Sequence, residues 1–218
     1  MKQLIYLFAV SLLSLPQAFA AEKSLVLAGG CFWCMEKPFE EIKGVKSVTS
    51  GFSGGDLVKP SYKKVASGST KHIEVVEIKY DDDLVSFYDL LKVFWLQINP
   101  TDSGGQFVDR GHQYTSAIFY NDAEEKKIAE AFKKKLNELK IYPKPIVTPI
   151  RESMAFYPAE EYHQDYYKKN PIRYWYYRNG SGRDKYLKSI WSDENLKKYE
   201  STFNKNRTKK SDSDLNPA

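Results

Sequence analysis

Both cysteines of the chain stand in one stretch, Gly30-Cys31-Phe32-Trp33-Cys34, directly after a short apolar run. Two thiols at this spacing offer a nucleophile and a built-in partner able to close a disulfide with it. Closing so short a loop removes little entropy from the unfolded chain, so the spacing favours redox chemistry over a structural staple. Cys31 follows Gly29-Gly30 where the chain turns into a helix, and unpaired N–H groups there would favour its thiolate. A buried structural cysteine is the plainer alternative. Cys34 is then either the resolving thiol or an inert packing residue. Phe32 and Trp33 are either core aromatics or the apolar wall of a pocket for a small thioether or methyl group.

The most informative carboxylate is Glu74. Strict alternation over residues 71–80 predicts a strand with Glu74, Val76, Ile78 and Tyr80 on one face. A desolvated carboxyl in that row would hold its proton towards neutral pH and could serve as a general acid; at the strand mouth it would simply be solvated. The three histidines, His72, His112 and His163, lack finger-like spacing and a zinc site would need more ligands. No cofactor is expected.

These residues need a scaffold. Residues 24–28 read as a buried strand ending in the Gly29-Gly30 turn. Phe32, Met35, Phe39 and Ile42 recur at helical spacing up to Gly44, with Pro38 an awkward member. Residues 45–52 predict a second strand, 85–96 an amphipathic helix, 114–120 a strand, 123–139 a long helix and 146–150 a further strand. Such alternation points to an α/β or α+β sandwich. Past about residue 155 the pattern weakens: 160–169 reads as a short helix and 173–178 is densely aromatic.

Lys2, the apolar run from Leu4 to Leu15 and the ending Ala18-Phe19-Ala20 make residues 1–20 a cleaved export signal, with the periplasm as the expected compartment. An uncleaved anchor is the alternative, but the run is short for a membrane span. Residues 21–200 then form one domain, and 201–218 a polar tail expected to be disordered. Apolar content of 42%, charged content of 28% and a net charge of +5 are ordinary for a soluble protein. Lysines interspersed with acids argue against a nucleic-acid footprint.

Six blocks taken together resemble peptide methionine sulfoxide reductase A over about residues 24–171. They are Gly30-Cys31-Phe32-Trp33, Gly54-Gly55, Pro60-Ser61-Tyr62, Ser67-Gly68 with His72-Ile73-Glu74, Asp109-Arg110-Gly111 with Gln113-Tyr114 and Ser116, and Tyr157-Pro158-Ala159-Glu160 with Tyr162-His163-Gln164. The resemblance implies that Cys31 attacks the sulfoxide sulfur, that Glu74 protonates its oxygen, and that Tyr62 and Tyr114 orient that oxygen. Phe32 and Trp33 would hold the S-methyl group and Asp109 would help shape the site. It implies the S epimer, free or in proteins, as substrate, and a Cys31 sulfenic acid as product. The family often has glycine where Cys34 stands and often carries resolving cysteines near the C-terminus. Residues 170–175 have none, which leaves Cys34 as the intramolecular resolver and a thioredoxin-like protein as reductant. The implied fold is a two-layer α+β sandwich with a mixed sheet and a ferredoxin-like core, followed by an irregular C-terminal extension. The chain is expected to act as a monomer without stable membrane association. A thioredoxin-like thiol–disulfide oxidoreductase is the competing reading, and a non-enzymatic peptide-binding module a second; the first would leave Glu74, Tyr62 and Tyr114 dispensable.

Overall fold

The computed structural model describes residues 22–204. Export signal and compartment rest on residues 1–20, outside the described residues.

The elements run β1 (Glu22–Gly29), α1 (Trp33–Glu40), β2 (Val45–Ser53), α2 (Tyr62–Ala66), β3 (Ile73–Asp81), α3 (Phe87–Trp95), a small β4 (Gly105–Gln106) and β5 (Asp109–Arg110) ladder, β6 (Ser116–Tyr120), α4 (Ala123–Glu138), β7 (Ile150–Glu152) and β8 (Tyr157–Pro158). Four helices follow: α5 (Tyr166–Lys169), α6 (Pro171–Gly180), α7 (Arg183–Ile190) and α8 (Asp193–Phe203). The main sheet has the order β7-β6-β1-β3-β2-β8. β3 lies between β1 and β2 and is antiparallel to both, so β1 and β2 run parallel with α1 as their crossover. With β6 antiparallel beside β1, the order β6-β1-β3-β2 is the expected ferredoxin-like core, and the parallel β6–β7 pair makes the sheet mixed.

Alternation on β3 sorts its side chains as the pattern requires. Val76, Ile78 and Tyr80 join Leu25, Leu27, Phe39, Leu90, Leu91, Phe94 and Phe132 in the large core under the helices. Ile73 and Val75 face the opposite side, in a small cluster with Val26, Ala28, Ala117 and Phe119, against which Phe156 packs. A capping box of Ser86 and Asp89 starts α3, and the Asp122 side chain caps α4.

Three expectations need correction. The strand expected over 146–150 starts only at Ile150, because Pro149 cannot donate to a ladder and the N–H groups of Val147 and Thr148 bond the Pro100 carbonyl instead. The C-terminal extension is helical rather than irregular. Pro171 opens α6, where a missing N–H costs nothing, and the Ser192 hydroxyl caps α8 by accepting from the Asn195 N–H. The tail boundary at 201 falls inside α8. Phe203 is 1% exposed and its ring stacks on Phe132 at 4.0 Å and 2°. The remaining residues, 205–218, lie outside the described region.

Candidate active site

The nucleophile candidate is placed by a tight turn. Gly30 has φ +84, and a Cβ there would lie 2.6 Å from the Gln106 side chain, so only glycine lets β1 turn at that point. Cys31 and Phe32 follow, and α1 starts at Trp33 with Phe32 as its N-cap. Cys31 is 6% exposed.

Glu74, near the start of β3, points to the same place. It pairs across the ladder with Phe52 of β2, on the face towards the helices, and is 1% exposed. Its Oε2 accepts the Phe32 N–H at 3.1 Å. The choice between strand mouth and core is therefore resolved in favour of the core. Burial pushes the carboxyl up to about 8, against the Phe32 N–H and with help from the nearby Asp109 and Cys34. At neutral pH Glu74 holds a proton.

The thiols depart from the expectation. The N–H that was to favour a Cys31 thiolate belongs to Glu74, and burial, the hydrogen bond to Cys34 and the Glu74 charge raise the Cys31 thiol well above the ordinary cysteine value. Cys34, fully buried one helical turn on, is held down to about 6 by the Cys31 thiol that donates to it and by Arg183 and Arg178, against burial. Both cysteines are free. The two thiols therefore titrate as a coupled pair, Cys31 displaced upward and Cys34 downward.

Aromatic residues close the site. Phe32 lies 6.3 Å from the rings of both Trp33 and Tyr62 and 5.1 Å from His163. The Trp33 indole N–H donates to His163 Nδ1 at 3.2 Å, and its ring stacks on Tyr166 at 3.7 Å and 7°. Tyr62 opens α2, its N–H bonded to Glu160 Oε1. Tyr114 ends the single 3-10 turn His112–Tyr114. Burial and the neighbouring Glu74 raise both phenols far above their ordinary value, so both hydroxyls remain donors. Asp109, on β5, accepts the Tyr177 hydroxyl at 2.5 Å, and burial raises its carboxyl. Trp33, Tyr62, Asp109 and Tyr114 are each half-buried, and Tyr62, Asp109 and Tyr114 lie near enough to Glu74 for their charges to act on one another.

All eight sequence-predicted site residues, Cys31, Phe32, Trp33, Cys34, Tyr62, Glu74, Asp109 and Tyr114, are brought together. Sequence reasoning missed Tyr177, whose hydroxyl donates to Asp109 and whose ring meets Trp33 edge-on at 5.7 Å. It missed Arg178 and Arg183 as well. The dense aromatic run 173–178 was the only sign of Tyr177 and Arg178, and its outward residues blur any helical period. His163 was visible as part of a block, but without a role. The histidines serve different places: His72 bonds the Leu57 carbonyl and His112 that of Thr70. Among the described residues no group of three or more His, Cys, Asp and Glu side chains could hold a metal ion.

The arrangement can deliver a proton and a sulfur nucleophile to one small polar group, then close a disulfide. The chain is similar to known proteins. The family model described as peptide methionine sulfoxide reductase matches residues 23–195. Peptide methionine sulfoxide reductase MsrA 2 of Staphylococcus aureus is 50% identical over 169 residues, which cover 78% of this chain and 96% of the relative. MsrA of Bacillus licheniformis is 54% identical over 164 residues, covering 75% and 91%. Among solved structures, reduced Mxr1 from Saccharomyces cerevisiae aligns with a TM-score of 0.61 and 32% identity over 69% of this chain and 87% of that one. Methionine sulfoxide reductase A of Corynebacterium diphtheriae aligns with a TM-score of 0.62 and 30% identity over 71% and 78%.

Proposed function

Because the chain belongs to the peptide methionine sulfoxide reductase family, we propose that it reduces the S epimer of methionine sulfoxide, free or in oxidised proteins, with Cys31 as nucleophile and Glu74 as acid. The observation that carries this reading is the buried, protonated Glu74, bonded to the N–H of the residue next to Cys31. A sulfoxide sulfur is a poor electrophile until its oxygen is protonated. A thiol pair without such an acid would suit disulfide exchange but not this step.

Glu74 gives its proton to the sulfoxide oxygen, which the Tyr62 and Tyr114 hydroxyls hold by hydrogen bonds. Phe32 and Trp33 enclose the S-methyl group. As the Cys31 sulfur attacks, its proton passes to the neighbouring Cys34 sulfur. Oxygen moves from the methionine sulfur to Cys31, leaving methionine, a Cys31 sulfenic acid, a Cys34 thiol and ionised Glu74. Cys34 then attacks Cys31: the S–S bond forms, the S–O bond breaks, and the hydroxyl leaves as water with the Cys34 proton. The two electrons that reduce the sulfoxide are those lost by the two thiols. A thioredoxin-like dithiol returns them and Glu74 regains its proton.

An epimer-resolved assay with a thioredoxin as donor tests this. Turnover of the S-sulfoxide alone is expected, and turnover of neither epimer would contradict it. We infer further that residues 1–20 direct export to the periplasm and are removed. N-terminal sequencing of the fractionated protein should begin at Ala21, and an intact Met1 would contradict this.

A further inference from the structure

The turn that presents Cys31 is held by two arginines from the C-terminal helices. Pro38 lies inside α1 and has no N–H, so the carbonyl four residues back, that of Cys34, loses its helical donor. Arg178 of α6 supplies one: its Nη1 donates to the Cys34 oxygen at 3.2 Å, while its Nε and Nη2 bond Asp184 Oδ1, each at 2.7 Å. Asp184 thereby aims the guanidinium at that carbonyl.

Arg183 of α7, 1% exposed, grips the other end of the turn. Its Nη2 donates to the Gly29 carbonyl at 2.8 Å, and its Nη1 to the Gln97 carbonyl at 2.7 Å, with Met35 Sδ at 3.8 Å. Nη2 also lies 3.0 Å from where a Cβ on Gly30 would stand, so it packs into the space that glycine leaves beside Cys31. The guanidinium covers the Phe107 ring at 4.6 Å, and the Ser181 carbonyl accepts the Val108 N–H. The same segment therefore holds the turn that leads to Asp109. Burying a guanidinium is costly unless its donors are bonded. Both Nη groups meet that need on backbone carbonyls, although Nε has no partner among the described residues.

We propose that Arg178 and Arg183 are positioning residues: a clamp that grips the backbone at Gly29 and Cys34 and fixes where the Cys31 sulfur stands relative to Glu74. Neither arginine needs to touch substrate. Phe32, between the gripped ends, gives its N–H to Glu74, so one stretch of backbone governs nucleophile and acid together. A loosened turn leaves both groups present but misaligned, and a misplacement of about 1 Å costs roughly 10²-fold in rate. This rests on the reading of Cys31 as the nucleophile and Glu74 as the acid.

The test is rapid-quench methionine formation by the full chain at saturating methionine S-sulfoxide. Site-resolved alkylation of Cys31 by iodoacetamide gives a second readout that needs no turnover. Arg178→Met and Arg183→Met each remove the donors and keep an apolar stem. In the folded variants the single-turnover rate should fall by roughly tenfold to 10²-fold, and Cys31 should alkylate severalfold faster. Arg178→Lys, which keeps a donor, should recover part of both changes. Asp184→Ala, at an exposed position, frees the Arg178 guanidinium and should move both readouts the same way by less. Folded variants that differ from wild type only in thermal stability would overturn the proposal. Where an arginine variant does not fold, Asp184→Ala decides in its place. If the wild-type protein forms no methionine, the reading beneath fails instead, and alkylation alone judges the clamp.

Discussion

The Phe32 N–H bonds Glu74 Oε2 at 3.1 Å and so ties the acid to the residue after the nucleophile. That N–H would otherwise face the helix start, where it would favour a Cys31 thiolate. Its use by Glu74 exchanges an activated resting thiol for an acid held at a set distance from the reacting sulfur.

Replacing the acid should therefore affect chemistry more than binding. Glu74→Gln is expected to slow single-turnover methionine formation by roughly 10²–10⁴-fold, the usual worth of a general acid. The active form is protonated and its carboxyl sits at about 8, so the wild-type rate should fall as pH rises through about 8. The variant should lack that fall. Rapid-quench measurements across pH check both points, and an unchanged rate removes Glu74 from the role.

Tyr177→Phe keeps the ring against Trp33 and deletes the hydroxyl that donates to Asp109. A hydrogen bond to a charged group is worth about 1.5–3 kcal/mol. Turnover should drop by roughly tenfold or more while thermal stability changes little. Equal kcat/KM for the two proteins would show that the hydroxyl is idle.

Glu36, on α1, is fully buried; its Oε1 accepts from the Ser50 hydroxyl and the Asp165 N–H, and its Oε2 has no partner among the described residues. Burial raises the carboxyl to about 7. Since the folded value lies above the unfolded one, the stability is present at acid pH and lost as pH rises through about 7. Glu36→Gln keeps an oxygen for both donors and abolishes the ionisation. Its stability gain over wild type should grow between pH ~5 and ~8.5, to as much as about 3 kcal/mol. Denaturant melts at the two pH values check this, and a constant difference contradicts it.

The helical extension belongs to the core. Phe203→Ala removes a buried ring stacked on Phe132 and should cost about 3–5 kcal/mol. Wild-type stability in a denaturant melt would return residues near 203 to the status of a tail.

Legibility followed the physics of each segment. β3 could be read because one of its faces meets the large helix-covered core and alternation marks it. Glu74 was visible for the same reason, although its burial was not, since alternation gives a face and not a depth. β7 was misplaced because Ile146, Val147 and Ile150 look like a strand while Pro145 and Pro149 prevent pairing before Ile150. α6 went unread because Ile172, Trp175 and Tyr176 face solvent, which erases the amphipathic period. Arg178 reaches the Cys34 carbonyl only through tertiary folding, and no local pattern announces that. Pro38 looked like a defect in α1; its missing N–H is what leaves the Cys34 carbonyl for Arg178.

The central claim is that Cys31 takes the sulfoxide oxygen and Cys34 closes on it. Reduced protein given one equivalent of methionine S-sulfoxide without reductant, then quenched and read by mass spectrometry, tests it most directly. The expected result is one equivalent of methionine and a protein lighter by two hydrogens, with the peptides of Cys31 and Cys34 crosslinked. A protein that releases methionine yet keeps an added oxygen on Cys31, or one that reacts equally well as Cys31→Ser, would contradict it.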